Sequence, residues 1–292
     1  MPRAKTDPAS IPLGVASRSA PPPSMPVARH WHGLAYLGAG LCCYVLFLLI
    51  TLPAYWIDWL ASRASHNAVR VQQSEGTLWG GTGNLVIQGA GPERLQARVA
   101  WELQTWRLLA GELQARLRSL NNSPALNVTV RAGYRHLSIH DVEVTLPASM
   151  VGAFNPAVGL VAPSGSLQIT AQQATLTPNG LEGSLQLTWL GAGTRIGGLS
   201  DVGDYRLVVN GRGTTAELRI ETLRGDVGVT AQGEWQVQGE GPVRLTGNIT
   251  PGSREQTLRP LLAMLNAQNS NGQYRWALNG RFSPAQLFGT AP

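Results

Sequence analysis

Cysteine is nearly absent from this chain, and so are the structures that depend on it. The two cysteines, Cys42 and Cys43, are adjacent and lie inside an apolar run. Neighbouring residues form at best a strained disulfide, and the sequence offers no other cysteine as a partner. This excludes a disulfide framework and a cysteine zinc site. An exported domain of this chain is therefore held together by its core and by its sheet hydrogen bonds.

Charged side chains are also scarce. They make up 14% of the residues, whereas the chain contains 34 glycines and 19 prolines. This composition is typical of short strands with frequent turns and disfavours a bundle of long surface helices. The formal net charge of +6 includes no dense basic stripe with interleaved aromatic residues, which a nucleic-acid-binding surface would need. We therefore predict no nucleic-acid partner.

Familiar catalytic and cofactor motifs are missing as well. The sequence contains no GxSxG, HExxH, GxxxxGK[ST] or CxxC motif. Its glycine-rich turns also lack the strand-to-helix context of phosphate-binding loops. We predict a protein that is not an enzyme, with no catalytic residue, no cofactor and no metal site.

Two of the five histidines, His136 and His140, lie close together in the sequence. They share one face of a predicted strand whose other face carries Leu137, and a metal site would need a further ligand and supporting hydrogen bonds. The apolar pattern resumes at Val142, one step out of phase. A β-bulge near His140 and Asp141 explains that shift and is the preferred interpretation over a metal site.

The chain does contain one long uncharged run, from Leu34 to Leu52. About 20 apolar residues in a helix are enough to cross the hydrocarbon core of a bilayer. Aromatic residues stand near both edges of the run, and Pro53 discourages continuation of the same helix. We predict an uncleaved transmembrane helix over 31–57. The alternative, a cleaved signal peptide, would have a shorter apolar region followed by a small-residue cleavage site.

Basic residues on the N-terminal side of this run set the predicted orientation. Four basic residues stand there against the single acidic residue Asp7, so the positive-inside rule places that side in the cytoplasm. Residues 1–30, rich in proline, alanine and serine, are predicted to be a disordered cytoplasmic tail. We further predict a juxtamembrane segment at 58–73, a periplasmic β domain at 74–282 and a C-terminal tail at 283–292. The chain would then be a single-pass protein of the inner membrane.

From residue 84 onward, apolar and polar residues alternate. Period-two alternation with one apolar face predicts an antiparallel sheet that is packed on one side and wet on the other. Five apolar residues share one face in the segment 95–103, namely Leu95, Ala97, Val99, Trp101 and Leu103. Turn signals recur at Asn179-Gly180, Asn210-Gly211, Gly239–Pro242 and Asn271-Gly272.

The predicted fold class is mainly β, with a single N-terminal transmembrane helix followed by an antiparallel meander and one or two short helices. A meander of roughly a dozen strands is the simplest topology. The pattern alone leaves open whether the strands form one curved sheet, split into a sandwich or close on themselves.

Two segments interrupt the alternation. Residues 253–268 place leucines at helical spacing and predict a helix, although Pro260 conflicts with its start. Residues 147–165 are apolar, uncharged and poor in alternation. They are predicted to form a short helix and a loop that cover one end of the sheet. The alternative is a contact with a partner or a membrane; the candidate contact residues are Met150, Val151, Phe154 and Leu160.

The order of these elements resembles the type II secretion system protein N family, also called general secretion pathway protein N. The resemblance rests on GTLWxG at Gly76–Gly81, LLAGEL at 108–113, GDYRLVVNG at 203–211 and NGQYRWALNG at 271–280. It covers about residues 31–282. The resemblance implies an inner-membrane accessory component of the machine that carries folded proteins across the outer membrane, with other subunits of that system as partners and no catalytic residues.

The GTLWxG element has a physical interpretation. The family motif residues in this chain are Gly76, Thr77, Leu78, Trp79 and Gly81. Glycines permit tight turns and close backbone approach. Trp79 has a large apolar side chain that can pack the first strand against the sheet. The chain departs from the family pattern at Gly80, where such proteins often carry a polar residue. If the ring of Trp79 is buried, its replacement by alanine should cost about 3–5 kcal/mol.

Two functions follow from these observations. The first is a non-enzymatic scaffold that contacts other secretion subunits through its sheet edges and loops, with strand addition at an exposed edge as the natural mode. The alternative is a periplasmic lipid-handling protein, anchored to the inner membrane, whose curved sheet shields acyl chains along its apolar face. The two functions differ in what occupies that face.

Overall fold

A computed structural model describes residues 29–65, 67–88, 94–121, 124–154, 162–194, 199–238 and 241–281. The chain divides into two units, Met1–Leu49 and Ile50–Pro292. Helix α1 (Arg29–Ile50) supplies the described part of the first unit, and its last residue belongs to the second. The helix ends before Pro53, as predicted, because proline discourages continuation of a helix.

Within the described residues, no helix combines the length and the apolarity that crossing a membrane requires. The transmembrane helix over 31–57 therefore stays a prediction. Residues 1–28 of the predicted cytoplasmic tail, and the predicted C-terminal tail at 283–292, lie outside the described residues.

The second unit is built on one antiparallel sheet, to which the described residues contribute 14 strands. Strands β1 to β12 lie side by side in chain order, and only the last two exchange places, so the order ends β12-β14-β13. The predicted meander is confirmed, as a single open sheet rather than a sandwich. It begins at Val69, before the predicted boundary at Ser74.

The strands have the following bounds: β1 Val69–Gly76, β2 Gly80–Gln88, β3 Arg94–Leu103, β4 Leu113–Ser119, β5 Leu126–Gly133, β6 His136–Pro147, β7 Pro163–Thr177, β8 Gly180–Thr194, β9 Leu199–Gly213, β10 Thr215–Arg224, β11 Gly228–Gln236, β12 Pro242–Thr250, β13 Gln268–Ser270 and β14 Gln273–Arg281.

Three short α-helices accompany the sheet in the described part of this unit: α2 (Tyr55–Ala64), α3 (Val151–Phe154) and α4 (Glu255–Met264). The helix predicted at 253–268 is confirmed as α4, and Pro260 lies inside it. A short 3-10 turn, Gly252–Arg254, leads into this helix. The helix starts five residues before the proline, so Pro260 lies beyond the first turn and has no N–H to donate to the carbonyl oxygen of Gln256.

The apolar face of the sheet is covered by a helix near each end. At the N-terminal end, Ile57 and Ala61 of α2 pack against the cluster Ala54, Val71, Leu85, Ala97, Val99 and Trp101. Near the C-terminal end, Leu258 and Leu262 of α4 join the cluster Leu199, Val227, Ala231, Leu245, Ile249 and Trp276. The inward face predicted for 95–103 is confirmed, since Ala97, Val99 and Trp101 are all buried.

The predicted bulge in β6 is confirmed. Asn127 of β5 pairs with Glu143, whereas Thr129 pairs with His140, so Asp141 and Val142 together oppose one residue of β5. Asp141 has φ +50°, in the left-handed region that the bulge imposes. The extra residue shifts the apolar face from odd to even positions along β6.

The predicted turn at Asn210-Gly211 is wrong, because both residues lie inside β9. Gly211 pairs with Gly183 on one side and with Ala216 on the other. A Cβ there would lie 2.4 Å from the carbonyl oxygen of Leu181, so close backbone approach, and not a turn, requires this glycine. The turns at Asn179-Gly180 and Asn271-Gly272 are confirmed. Residues 239 and 240 of the remaining turn lie outside the described residues.

Candidate functional site

The GTLWxG motif forms the turn of the first hairpin, between β1 and β2. Gly76 pairs with Gly81 across the two strands. The Thr77 amide donates to the carbonyl oxygen of Gly80 at 2.9 Å, and the Gly80 amide donates to the Thr77 hydroxyl oxygen at 3.3 Å. Thr77 therefore closes the turn with both its backbone and its side chain.

Two of the three glycines in this turn leave no room for a side chain. At Gly81, a Cβ would lie 2.2 Å from the Glu75 carbonyl oxygen and 2.6 Å from the ring of Trp101. Gly76 has φ +101°, and its Cβ would lie 2.6 Å from the Gly80 carbonyl oxygen. At Gly80 the nearest atom to a Cβ would be 3.9 Å away. A side chain therefore fits at position 80, where this chain departs from the family pattern.

Trp101 of β3 fills the space that the glycines leave. Its side chain is 7% exposed, and its indole N–H donates to the Thr77 carbonyl oxygen at 3.2 Å. A Cβ at Gly83 would lie 3.3 Å from the same ring. The sequence predicts the burial of Trp101 but does not connect it with the turn. One signal in the sequence could have indicated this contact. Gly81 and Gly83 lie on the same face of β2, and their missing side chains leave space for one large ring from a neighbouring strand.

Trp79 is half-buried, and its carbonyl oxygen accepts a hydrogen bond from the Leu103 amide at 2.7 Å. Its backbone therefore ties the turn to the end of β3. The predicted loss of about 3–5 kcal/mol of stability applies only to a buried ring. Trp101 has a buried ring, whereas Trp79 is only half-buried.

The same turn binds the residues that follow α1 in the sequence. The Leu78 amide donates to the carbonyl oxygen of Leu52 at 2.8 Å, and the Ala54 amide donates to the carbonyl oxygen of Gly76 at 3.3 Å. Pro53 forms an isolated antiparallel bridge with Thr77. The motif therefore connects residues 52–54, at the start of this unit, to its first hairpin.

Side chains of the α2 region occupy the outer edge of β1. A carboxylate oxygen of Asp58 accepts from the Val71 amide at 2.7 Å, and the Ser65 hydroxyl accepts from the Val69 amide at 2.9 Å. A register shift between Gln72 and Glu75 further interrupts the strand. Occupied donors and a bulge both oppose the addition of another strand, so this edge is protected.

The other edge of the sheet is open for part of its length. Strand β13 pairs only with Gln273–Arg275 at the start of β14. Beyond that segment, β14 pairs with β12 on its inner side, and Ala277, Leu278, Asn279 and Gly280 are exposed. Within the described residues, positions 277–280 of β14 therefore form a sheet edge with no strand beside it.

The GDYR stretch forms a second fastening point, at β9. Asp204 accepts from the Gly191 amide at 2.7 Å and lies 3.1 Å from the Arg224 guanidinium in an ion pair. The Tyr205 hydroxyl donates to the carbonyl oxygen of Val227 at 2.9 Å. Together these contacts hold β8 and the β10–β11 connection against β9.

A family model for type II secretion system protein N matches residues 67–277. The chain belongs to the type II secretion system protein N family. The match includes the turn motif, Trp101 and the GDYR stretch, so the resemblance that the sequence motifs predicted is confirmed. Proteins of this family are components of the type II secretion system. No curated protein and no solved structure matches the chain.

The apolar segment at 147–165 is described in part. Met150 is 1% exposed and packs inside the domain, as a covering segment requires. Val151 is half-buried. The side chain of Phe154 and the whole of Leu160 lie outside the described residues. A partner contact through Val151, Phe154 and Leu160 stays a prediction.

Burial, together with the neighbouring Asp204 carboxylate, raises the pKa of Tyr205 from 10.0 to about 12. Both the folded and the unfolded tyrosine are protonated below pH 10. Between pH 10 and 12 the unfolded tyrosine loses its proton while the folded one keeps it. The stabilisation from Tyr205 is therefore fully present below pH 10 and is lost as the pH rises towards 12.

We expect Tyr205→Phe to reduce the loss of stability between pH 10 and 12. At neutral pH the same variant should be less stable by about 0.5–1.5 kcal/mol, because the hydrogen bond to Val227 is lost. Denaturant unfolding of the full chain across this pH range measures both effects. Tyr134→Phe, at a side chain that is 88% exposed, is the control and should keep the wild-type profile. An unchanged pH slope in Tyr205→Phe would contradict the assignment.

Proposed function

We propose that this chain is a non-enzymatic accessory component of the type II secretion system, anchored in the inner membrane by one helix, with its sheet in the periplasm. Membership of the protein N family supports the role in secretion. The uncharged run from Leu34 to Leu52 and the basic residues before it support the anchor and its orientation.

In this proposal the sheet contributes to export through protein–protein contacts at its open edge. Strand addition is driven by main-chain hydrogen bonds, so it needs an edge whose amides and carbonyls are not already paired. The difference between the two edges carries the proposal. Asp58 and Ser65 occupy the donors of β1, whereas β13 covers only the first residues of β14. The partner strand would come from another subunit of the secretion system.

Site-specific photo-crosslinking in cells tests this proposal. A photoreactive residue at Asn279, on the open part of β14, should give a covalent adduct with another secretion subunit. The matched control is Gln72, which is also exposed but lies on the protected strand β1. Equal adducts from both positions, or adducts from Gln72 alone, would contradict recognition at the β14 edge.

A further inference from the structure

A cavity of about 300 Å³ opens on the apolar face of the sheet and shares no lining residue with either helix-covered cluster. Apolar side chains from β6, β7, β8, β9 and β11 line it, and they include Leu137, Ala174, Leu181, Leu185, Val209 and Trp235. In strand order the cavity lies mainly between the part covered by α2 and the part covered by α4. It is therefore a separate feature of the domain.

The cavity owes its position to irregularities in three neighbouring strands. Asp141 marks the bulge in β6, and the pairing of β7 with β8 shifts between Thr170 and Ala174. On β8, Gly183 has φ +107°, and its Cβ would lie 2.2 Å from the Gln173 carbonyl oxygen. Bulges bend strands and increase their twist. Because they occur side by side here, they bend the sheet at one place.

The residues that line the cavity indicate the same bend. Strands β6 and β11 are five steps apart in the sheet, which is about 24 Å in a flat sheet with neighbours about 4.8 Å apart. Leu137 of β6 and Trp235 of β11 nevertheless line the same cavity. The sheet must therefore fold towards its apolar face between these strands.

The chemistry of the wall decides what the cavity can hold. Strands β6 to β9 have a neighbouring strand on both sides, so their amides and carbonyls outside the bulges are engaged in the sheet, and the lining side chains are apolar. A water molecule needs two to four polar partners, and a peptide segment would bury amides and carbonyls without partners. A saturated hydrocarbon chain carries no polar group and therefore loses no hydrogen bond when it leaves water for the cavity.

We propose that this cavity binds part of an acyl chain of a lipid. A volume of about 300 Å³ accommodates roughly ten methylene groups, if each occupies about the 30 Å³ that a water molecule takes in the liquid. The polar end of the lipid would remain in solvent at the mouth. The cavity does not include the β14 edge, so the lipid proposal and the proposed function can be tested independently.

A photo-crosslinking experiment on the full chain in its native membrane tests the site. An aliphatic diazirine amino acid replaces Leu185, which lines the cavity, and adducts are identified by mass spectrometry. The matched control carries the same residue at Leu278, which is 49% exposed on β14. We expect at least a tenfold higher yield of lipid adduct at Leu185. A phospholipid adduct and a free fatty acid adduct differ in mass, so the source of the chain is read directly.

Two outcomes would overturn the proposal. One is an equal or lower lipid yield at Leu185 than at Leu278. The other is an adduct between Leu185 and the segment 282–292 of the same chain, which would mean that protein and not lipid covers the cavity.

A second variant tests the volume of the cavity without removing apolar surface. Ala174 is 6% exposed at the cavity wall, so Ala174→Phe fills space that the chain would occupy. It should lower the Leu185 adduct yield at least tenfold. Leu181→Ala, which enlarges the cavity, should preserve the adduct. If Ala174→Phe does not fold, the comparison of lipid adduct yields at Leu185 and Leu278 still tests the proposal.

Discussion

Replacement of Trp101 by alanine is expected to lower the free energy of unfolding by about 3–5 kcal/mol. The ring is 7% exposed and packs against two glycines of β2, so its loss leaves a cavity that backbone cannot refill. The Thr77 carbonyl oxygen also loses the indole N–H that it accepts at 3.2 Å. Thermal unfolding of the full chain measures the effect, with about 2–4 °C expected for each kcal/mol in a domain of this size.

Trp79→Ala is the matched comparison for this prediction, because both rings belong to the same hairpin region. Trp79 is half-buried, so its removal should cost clearly less than the removal of Trp101. Trp101→Phe keeps most of the apolar ring and loses the N–H donor, and should fall between wild type and Trp101→Ala. An equal or larger loss in Trp79→Ala would show that the motif tryptophan, and not Trp101, seals the hairpin.

Gly81→Ala is expected to cost about 1–3 kcal/mol or more through overpacking. The added Cβ would meet the Glu75 carbonyl oxygen at 2.2 Å and the Trp101 ring at 2.6 Å. The first of these atoms is backbone within a paired strand and cannot rotate away. The melting temperature of the full chain should fall in proportion.

The adjacent residue provides the control for Gly81→Ala. At Gly80 the nearest atom to a new Cβ lies 3.9 Å away, so Gly80→Ala should leave the melting temperature nearly unchanged. Similar losses in the two variants would mean that the turn tolerates displacement, and that backbone approach at Gly81 does not fix its geometry.

Local pattern was sufficient to predict the antiparallel meander from residue 84 onward and one of its defects, although not strand β1. Alternation over 95–103 predicted which side chains of β3 are buried, because the period of a strand is two wherever one face is packed. The phase change between Leu137 and Val142 predicted the bulge of β6, because one extra residue is the simplest way to exchange faces. Both inferences need only residues that are near one another in the sequence.

Features that depend on pairing between strands could not be predicted in the same way. Asn210-Gly211 has the composition of a turn, yet Gly211 serves close approach between β8 and β9. The contact of the Trp101 ring with Gly81 and Gly83 depends on the register of β2 against β3. The protection of β1 depends on two α2-region side chains that reach its amides. None of these relations leaves a periodic signal along the chain.

The unequal edges of the sheet limit how many molecules can assemble through it. In the proposed mode of assembly, an added strand would pair with positions 277–280 of β14, whereas the occupied amides of Val69 and Val71 oppose strand addition at the opposite edge. Growth by repeated head-to-tail addition would need two complementary surfaces on every copy. A complex formed at β14 should therefore stop at one partner strand per chain and should not extend into a fibre.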